Sequence, residues 1–150
     1  AKRAYHHTAP VNSLYAFHES LVMLEEEGLE NAWARHRHHH NALRNGLEAM
    51  GIGFLVEEPY RLPQLNSVFV PEGVDEAKVR SQLLANYNLE IGAGLGALAG
   101  KVWRIGLMGS ACNKQNVLLC LSALENTLSD MGADITQGQA IRTAEAVYTA

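Results

Sequence analysis

The chain has 150 residues, of which 47% are hydrophobic and 19% charged, and its formal net charge is -4 at pH 7. This length and composition fit one ordinary globular domain that needs no disulfide or metal to fold. The weak negative charge argues against nucleic acid as the main partner, because phosphate binding needs a dense basic face. No apolar run is long enough to suggest a membrane span, so we expect no membrane partner.

The two cysteines and the start of the chain bear on the compartment. Cys112 and Cys120 fit a reduced compartment better than a disulfide scaffold, and we interpret them as a small residue near a cap and a buried thiol. No basic segment followed by an apolar core opens the chain, so no secretory signal is visible. We therefore expect a cytoplasmic protein.

The first third of the chain predicts an extended lead-in, residues 1–9, followed by two helices. Pro10 fits the first turn of a helix, and Gly28 fits the position that ends it. Gly51 fits the end of the second helix. Apolar or aromatic residues at spacings of three and four form one stripe on each helix. These stripes are Val11, Leu14, Tyr15, His18, Leu21 and Val22, and then Leu29, Trp33, His36, His40, Leu43, Leu47 and Met50.

The middle of the chain mixes short strands with one helix. Asp75 is a good N-cap for a helix over 76–87, whose buried face we expect to hold Val79, Leu83 and Leu84. The alternating or apolar runs between turn signals predict strands over 51–56, 66–70, 89–91 and 102–107.

The last part predicts a strong helix that Ser110 or Asn113 caps and that extends to about Met131. A tail over 132–150 holds a weaker helix. The whole order predicts an α+β fold in which helices cover one face of a small, mainly antiparallel sheet. We expect residues 10–131 to form this domain together with its preceding helix.

Two motifs have residue types typical of a ligand site, but the sequence around each of them does not fit such a site. His36 and His40 share a helix face at metal-ligand spacing, but no third ligand is fixed nearby, so we expect a solvated or partly packed face and no metal. The glycine loop, residues 92–100, matches part of a dinucleotide fingerprint but leads into a strand and lacks the later acid. We interpret it as a flexible loop that brings backbone close to a ligand or partner.

Two further stretches leave alternatives open. Arg104 lies in a strand between Trp103 and Ile105, where it either pairs with a local Glu or binds a substrate carboxylate through its planar guanidinium. The stretch Tyr5-His6-His7-Thr8 brings hydroxyls to the start of a helix. Thr8 either caps that helix or contributes to a phosphate site.

Several stretches together resemble a known family. The motifs Tyr5-His-His-Thr8, Leu14-Tyr15 and Glu26-Glu-Gly-Leu-Glu30 are followed by Glu90-Ile-Gly-Ala-Gly-Leu-Gly96 and Gly100-Lys-Val-Trp-Arg-Ile-Gly-Leu-Met-Gly109. In order and spacing they resemble the C-terminal part of class V, fold-type I pyridoxal-phosphate aminotransferases of the alanine–glyoxylate and serine–pyruvate group. The likeness covers about residues 4–131, and we find no counterpart for the tail.

The resemblance implies roles for single residues. Arg104 matches the arginine that binds the substrate carboxylate. Tyr5 and Thr8 match the pair that reaches the cofactor phosphate of the other subunit, which implies a homodimer. The family's Schiff-base lysine matches none of the four lysines, so the chain carries no catalytic residue of its own and we expect it to be inactive alone. The lysines are Lys2, Lys78, Lys101 and Lys114.

The implied activity is transfer of an amino group from alanine or serine to glyoxylate or another 2-oxo acid, with pyridoxal phosphate as cofactor. An alternative is a non-catalytic interaction or regulatory domain that keeps the same α+β fold.

Overall fold

The computed structural model of the protein describes residues 6–149. The described residues divide between two compact units that separate after Ala34, and each is described by itself. The helices are α1 (Val11–Glu27), α2 (Leu29–Ala49), α3 (Glu76–Tyr87), α4 (Lys114–Asp130) and α5 (Ala140–Thr149). The strands are β1 (Leu65–Phe69), β2 (Gly92–Ala93) and β3 (Val102–Gly106).

The first unit consists of α1 and the start of α2. As predicted, α1 ends at Gly28, whose φ of 81° favours glycine. The helix begins one residue later than predicted, because Pro10 is its N-cap and not part of its first turn. The N–H of Gly28 donates to the Leu24 carbonyl at 2.9 Å and closes the last turn. No residue of α1 is buried. Most of the apolar stripe predicted on this helix is therefore exposed, namely Val11, Leu14, Tyr15 and Leu21. Phe17 and Met23, which lie outside that stripe, are exposed as well.

The second unit is built around a three-stranded antiparallel sheet with the order β1-β3-β2. Residues that face each other across two antiparallel strands lie on the same side of the sheet. Val68 faces Trp103 and both are fully buried, so this side is the core face. Arg104 faces Ser67 on β1 and Gly92 on β2, so all three lie on the opposite side.

The core forms where the helices of this unit pack against one side of the sheet. Its largest fully buried residues come from α2, both long strands, α3 and α4. This arrangement is the α+β fold predicted from the sequence. The largest fully buried residues of this core are Leu43, Leu47, Met50, Val68, Val79, Leu83, Trp103, Val117, Leu121, Leu124 and Leu128.

Two of the four predicted strands are wrong in place or extent. The segment 51–56 makes only one isolated bridge, between Phe54 and Val68, because the chain bends at Leu55 and Val56. The segment 89–91 is no strand, because the Leu89 N–H donates to the Leu83 carbonyl and belongs to the end of α3. The edge strand β2 starts one residue later, at Gly92.

The helix caps agree with the sequence. Asp75 Oδ1 accepts hydrogen bonds of 3.1 Å from the N–H groups of Ala77 and Lys78. Of the two candidate caps for α4, Asn113 is the cap, since its Oδ1 accepts from the Asn116 N–H at 2.9 Å. One predicted core residue is wrong, because Leu84 is 50% exposed.

The tail is an ordered part of the second unit. Its helix α5 buries Ala140 and Ala144 completely, which confirms the helix expected there. None of the helices within residues 6–149 combines the length and hydropathy that a bilayer-spanning helix requires.

Candidate functional site

Arg104 lies at the centre of β3, on the side of the sheet that faces away from the core. Its neighbours Trp103 and Ile105 point into the core and are buried. Because side chains alternate along a strand, this burial directs Arg104 to the opposite face. The side chain is half-buried, so a rigid element of the fold holds a guanidinium that a ligand can still reach.

The guanidinium has one protein partner among the described residues. Its Nε donates a hydrogen bond of 2.7 Å to the backbone carbonyl of Ala93. Within residues 6–149 Arg104 forms no ion pair and no second side-chain hydrogen bond, so the alternative of a local Glu partner is wrong for the described structure. A guanidinium has five N–H donors. The Nη1 and Nη2 donors therefore remain for a planar acceptor such as a carboxylate.

The glycine loop, residues 92–100, joins β2 to β3 as a tight turn and not as a flexible loop. The Gly94 N–H donates to the Val102 carbonyl at 2.9 Å, and the turn contains further bonds of 3.0 to 3.1 Å between its own backbone groups. A Cβ on Gly94 would lie 2.1 Å from the Leu98 oxygen, which only glycine avoids. The loop leads directly into β3 and opens no α-helix, which agrees with the rejection of a dinucleotide site.

The lead-in supplies the second candidate group. Tyr5 lies outside the described residues. Thr8 is exposed, and its hydroxyl makes no hydrogen bond within residues 6–149. The interpretation of Thr8 as a helix cap is wrong, because Pro10 occupies the N-cap position of α1 and no side chain caps this helix. Thr8 belongs to the first unit and Arg104 to the second.

The histidine cluster is more buried than expected. His36 and His40 are only 8% and 7% exposed, so the prediction of a solvated or partly packed face is wrong for this pair. His40 Nδ1 lies 2.7 Å from Asn66 Oδ1 on β1, and burial lowers the pKa of this imidazole. Among residues 6–149, no three His, Cys, Asp or Glu side chains lie close enough to hold a metal ion.

Both cysteines are buried, and Cys120 is the buried thiol that the sequence predicts. Cys112 follows the short turn Gly109–Ala111, and Cys120 lies in α4. Burial raises the pKa of the Cys120 thiol to about 12, which makes it a packing residue and a poor nucleophile.

Sequence reasoning missed two residues that support the site. Arg35 on α2 donates to the carbonyls of Gly109 and Cys112 at 2.8 and 3.0 Å, and so holds the segment that follows β3. Asn66 on β1 donates from Nδ2 to the Ile105 carbonyl at 3.3 Å, next to Arg104. Both contacts join residues far apart in the chain, so no local pattern indicates them.

Comparison with known proteins places this geometry in a family. No protein-family model matches the chain. The (S)-ureidoglycine–glyoxylate transaminase of Bacillus subtilis is 43% identical over 147 residues, which cover 98% of this chain and 35% of that protein. The alanine–glyoxylate aminotransferase of Callithrix jacchus is 45% identical over 127 residues, or 84% of this chain and 31% of that protein. The chain is homologous to the C-terminal segment of class V aminotransferases.

A solved structure supports the same assignment. The ureidoglycine–glyoxylate aminotransferase of Bacillus subtilis superposes with a TM-score of 0.92 at 43% identity, covering 97% of this chain and 38% of that one. The chain therefore spans about a third of the length of the relatives that it matches. The match over 98% of the chain extends into the tail, so the expectation that the tail from Asp134 onward has no counterpart is wrong.

Proposed function

We propose that this segment is the substrate-binding part of a pyridoxal-phosphate-dependent transaminase. The full-length form, in which the N-terminal part found in the relatives precedes this segment, transfers an amino group from alanine or serine to glyoxylate or another 2-oxo acid. The relatives support this substrate class, since they are transaminases of glyoxylate with ureidoglycine, alanine or serine.

One observation carries the proposal, namely the state of Arg104. Its Nε is held by the Ala93 carbonyl, and its Nη groups have no partner among the described residues. A half-buried guanidinium with unused donors is suited to an α-carboxylate, which accepts two parallel hydrogen bonds from such a planar group. Both substrates of a transamination carry this carboxylate, so one residue can orient the amino acid and the oxo acid in turn.

The lead-in offers a group suited to the cofactor phosphate. The exposed Thr8 hydroxyl is free of other hydrogen bonds within the described residues, and Tyr5 carries a second hydroxyl nearby in sequence. We propose that both hold the phosphate in the partner subunit of a homodimer. When bound, pyridoxal phosphate supplies an electron sink for negative charge at the substrate Cα.

The lysines described here do not fit a covalent role. Lys78, Lys101 and Lys114 are all exposed, whereas a lysine that reacts covalently is usually desolvated in an apolar pocket or placed next to another cationic group. Lys2 lies outside the described residues. We therefore propose that the lysine needed for transamination belongs to the N-terminal part, and that residues 10–131 contribute orientation. Correct orientation of substrates alone lowers a barrier by several kcal/mol.

We propose a cytoplasmic location for the full-length form. Its support is that Cys120 is a buried free thiol, which fits a reduced compartment.

The test is to join this segment to the N-terminal part of the Bacillus subtilis relative. We expect the purified fusion to absorb visible light as a pyridoxal-phosphate enzyme does and to convert glyoxylate to glycine with an amino donor. The segment alone should give no borohydride-stable adduct on a single lysine. A well-folded fusion that retains no cofactor would favour the non-catalytic interaction domain.

A further inference from the structure

We propose that the edge strand β2 sets the direction of the Arg104 guanidinium, and that Gly92 and the Ala93 carbonyl are the parts that do so. The inference rests on the proposed role of Arg104 in carboxylate binding. It adds Gly92 as a positioning residue, which touches neither substrate nor cofactor and acts only through Arg104.

The first step is the place of Gly92. This residue faces Arg104 directly across the β2–β3 pair, so the two share the side of the sheet that faces away from the core. A Cβ built on Gly92 would lie 3.4 Å from Arg104 Nη2, 3.4 Å from the Arg104 carbonyl oxygen and 3.5 Å from Arg104 Cβ. The guanidinium therefore lies over the bare backbone of Gly92. Any side chain there would occupy the space next to Nη2.

The second step is the fixed position of the Ala93 carbonyl. Ala93 faces Trp103 in the sheet, and the next residue, Gly94, donates its N–H to the Val102 carbonyl at 2.9 Å. The Leu98 oxygen fills the space beside Gly94, 2.1 Å from where its Cβ would be. The hydrogen bond of the Gly94 N–H and the close Leu98 oxygen therefore restrict rotation of the peptide that carries the Ala93 oxygen. Because the Ala93 oxygen is fixed in position, the hydrogen bond that it accepts from Arg104 Nε has a fixed direction.

Together the two contacts restrict a long side chain without using its terminal donors. Free arginine side chains populate many rotamers, and ordering one on binding costs conformational entropy. In this protein the hydrogen bond from Nε and the close approach of Nη2 to the Gly92 backbone order the Arg104 side chain before a substrate binds. Substrate binding therefore requires both glycines of the Gly-Ala-Gly stretch. Gly92 leaves space for the Arg104 guanidinium, and Gly94 fixes the Ala93 carbonyl.

The experiment compares Gly92→Ala and Gly92→Val in the full-length form with Gly53→Ala and Gly53→Val. Gly53 lies at the other edge of the sheet, where its carbonyl accepts from Phe69 N–H, and its Cβ would lie 3.8 Å from the nearest atom, Phe69 Cδ2. We expect kcat/KM for the amino donor and for glyoxylate to fall about 2-fold for Gly92→Ala and roughly 10-fold or more for Gly92→Val, mainly through KM. The Gly53 variants should stay within about 2-fold of wild type.

A second readout does not depend on activity. In the isolated segment the Nε–H of Arg104 is hydrogen-bonded, so its proton NMR signal should exchange slowly with water. Arg104→Lys assigns this signal by removing it. Gly92→Val should shift the signal or broaden it, and Gly53→Val should leave it unchanged.

The outcomes separate the two proposals. If Gly92→Val leaves both KM and the Nε–H signal as in wild type, β2 does not position Arg104 and the inference is overturned. If the signal shifts while KM stays unchanged, the inference is also overturned, because the orientation has no consequence for the substrate. If Arg104→Lys itself retains full kcat/KM, the proposed function fails instead.

Discussion

His40 Nδ1 lies 2.7 Å from Asn66 Oδ1 and joins α2 to β1 inside the core. The Asn66 amide nitrogen donates to the carbonyls of Ile105 and Pro63, so its oxygen is the acceptor and His40 donates from Nδ1. Asn66 is 1% exposed and all its polar atoms are engaged. A buried polar pair of this kind specifies one packing of α2 on the sheet, next to the strand that carries Arg104.

This pair predicts that the protein loses stability in mild acid. Burial lowers the pKa of His40 below its usual value of 6.5, and nearby Arg44 and Arg61 lower it further, while the Asn66 bond and Glu48 oppose the shift. The unfolded chain therefore takes up a proton at a higher pH than the folded chain. The contribution of His40 to the free energy of unfolding is fully present above about pH 6.5 and decreases as the pH falls toward the folded-state pKa.

Urea unfolding between pH 8 and pH 5 measures this effect. His40→Gln keeps a hydrogen-bond donor but has no proton to gain, so we expect a flatter dependence of unfolding free energy on pH. His38→Gln is the control, because His38 is exposed. Equal slopes for wild type and His40→Gln would contradict the assignment. His39, whose pKa is also lowered by burial, should keep part of the slope in both variants.

Gly46→Ala should destabilise the second unit. A Cβ on Gly46 would lie 2.4 Å from Leu121 Cδ1 on α4 and 3.0 Å from the Ala140 carbonyl oxygen at the start of α5. Overpacking of this kind costs about 1–3 kcal/mol, and the better helix propensity of alanine offsets up to about 1 kcal/mol. We expect a net loss of about 1–2 kcal/mol in unfolding free energy. Gly106→Ala, with 3.9 Å to Met108 Cε, should lose less. Equal stability of Gly46→Ala and wild type would show that α2 does not pack this closely.

The exposed apolar surface of α1 should make the isolated segment associate. Leu14 and Phe17 are 52% and 61% exposed, and apolar patches beyond a few hundred Å² favour association. We expect light scattering to show a mass that rises with protein concentration, and Leu14→Glu to reduce this rise. Leu62→Glu, an exposed position in the second unit, should not reduce it. A monomer at every concentration would contradict the prediction.

Thr8→Val and Tyr5→Phe in the full-length form test the cofactor contact proposed for the lead-in. Each removes one hydroxyl from a charged phosphate, a loss of about 1.5–3 kcal/mol. The affinity of the apoenzyme for pyridoxal phosphate should fall, while kcat at saturating cofactor should change little. Ser20→Ala is a control on α1, because its hydroxyl already donates to the Ala16 carbonyl at 2.8 Å. Unchanged cofactor affinity in both variants would exclude the contact.

Local chemistry made part of this fold predictable. Gly28, Asp75 and Asn113 end or begin helices through their own side chains or their own backbone freedom, so their roles can be derived from a few neighbouring residues. The position of Arg104 on a strand with buried neighbours could be predicted for the same reason.

Contacts between distant segments were not predictable. His40 is buried because Asn66 accepts its hydrogen bond, and 26 residues separate the two. The partner of Arg104 is a backbone carbonyl, which every residue carries, so no residue type in the sequence indicates Ala93. The edge strand β2 depends on pairing with β3, and its two small residues show no strand pattern of their own.

Arg104→Lys in the full-length form tests the carboxylate role most directly. Lysine keeps the charge but loses the planar group that holds both carboxylate oxygens. We expect kcat/KM for amino and oxo acids to fall roughly 10- to 100-fold, equivalent to about 1.5–3 kcal/mol, with little change in cofactor absorbance or melting temperature. An amine that lacks the carboxylate should be nearly equally poor with both enzymes. If the variant instead melts at a lower temperature and keeps wild-type kcat/KM for its best amino acid, Arg104 is structural and does not bind the carboxylate.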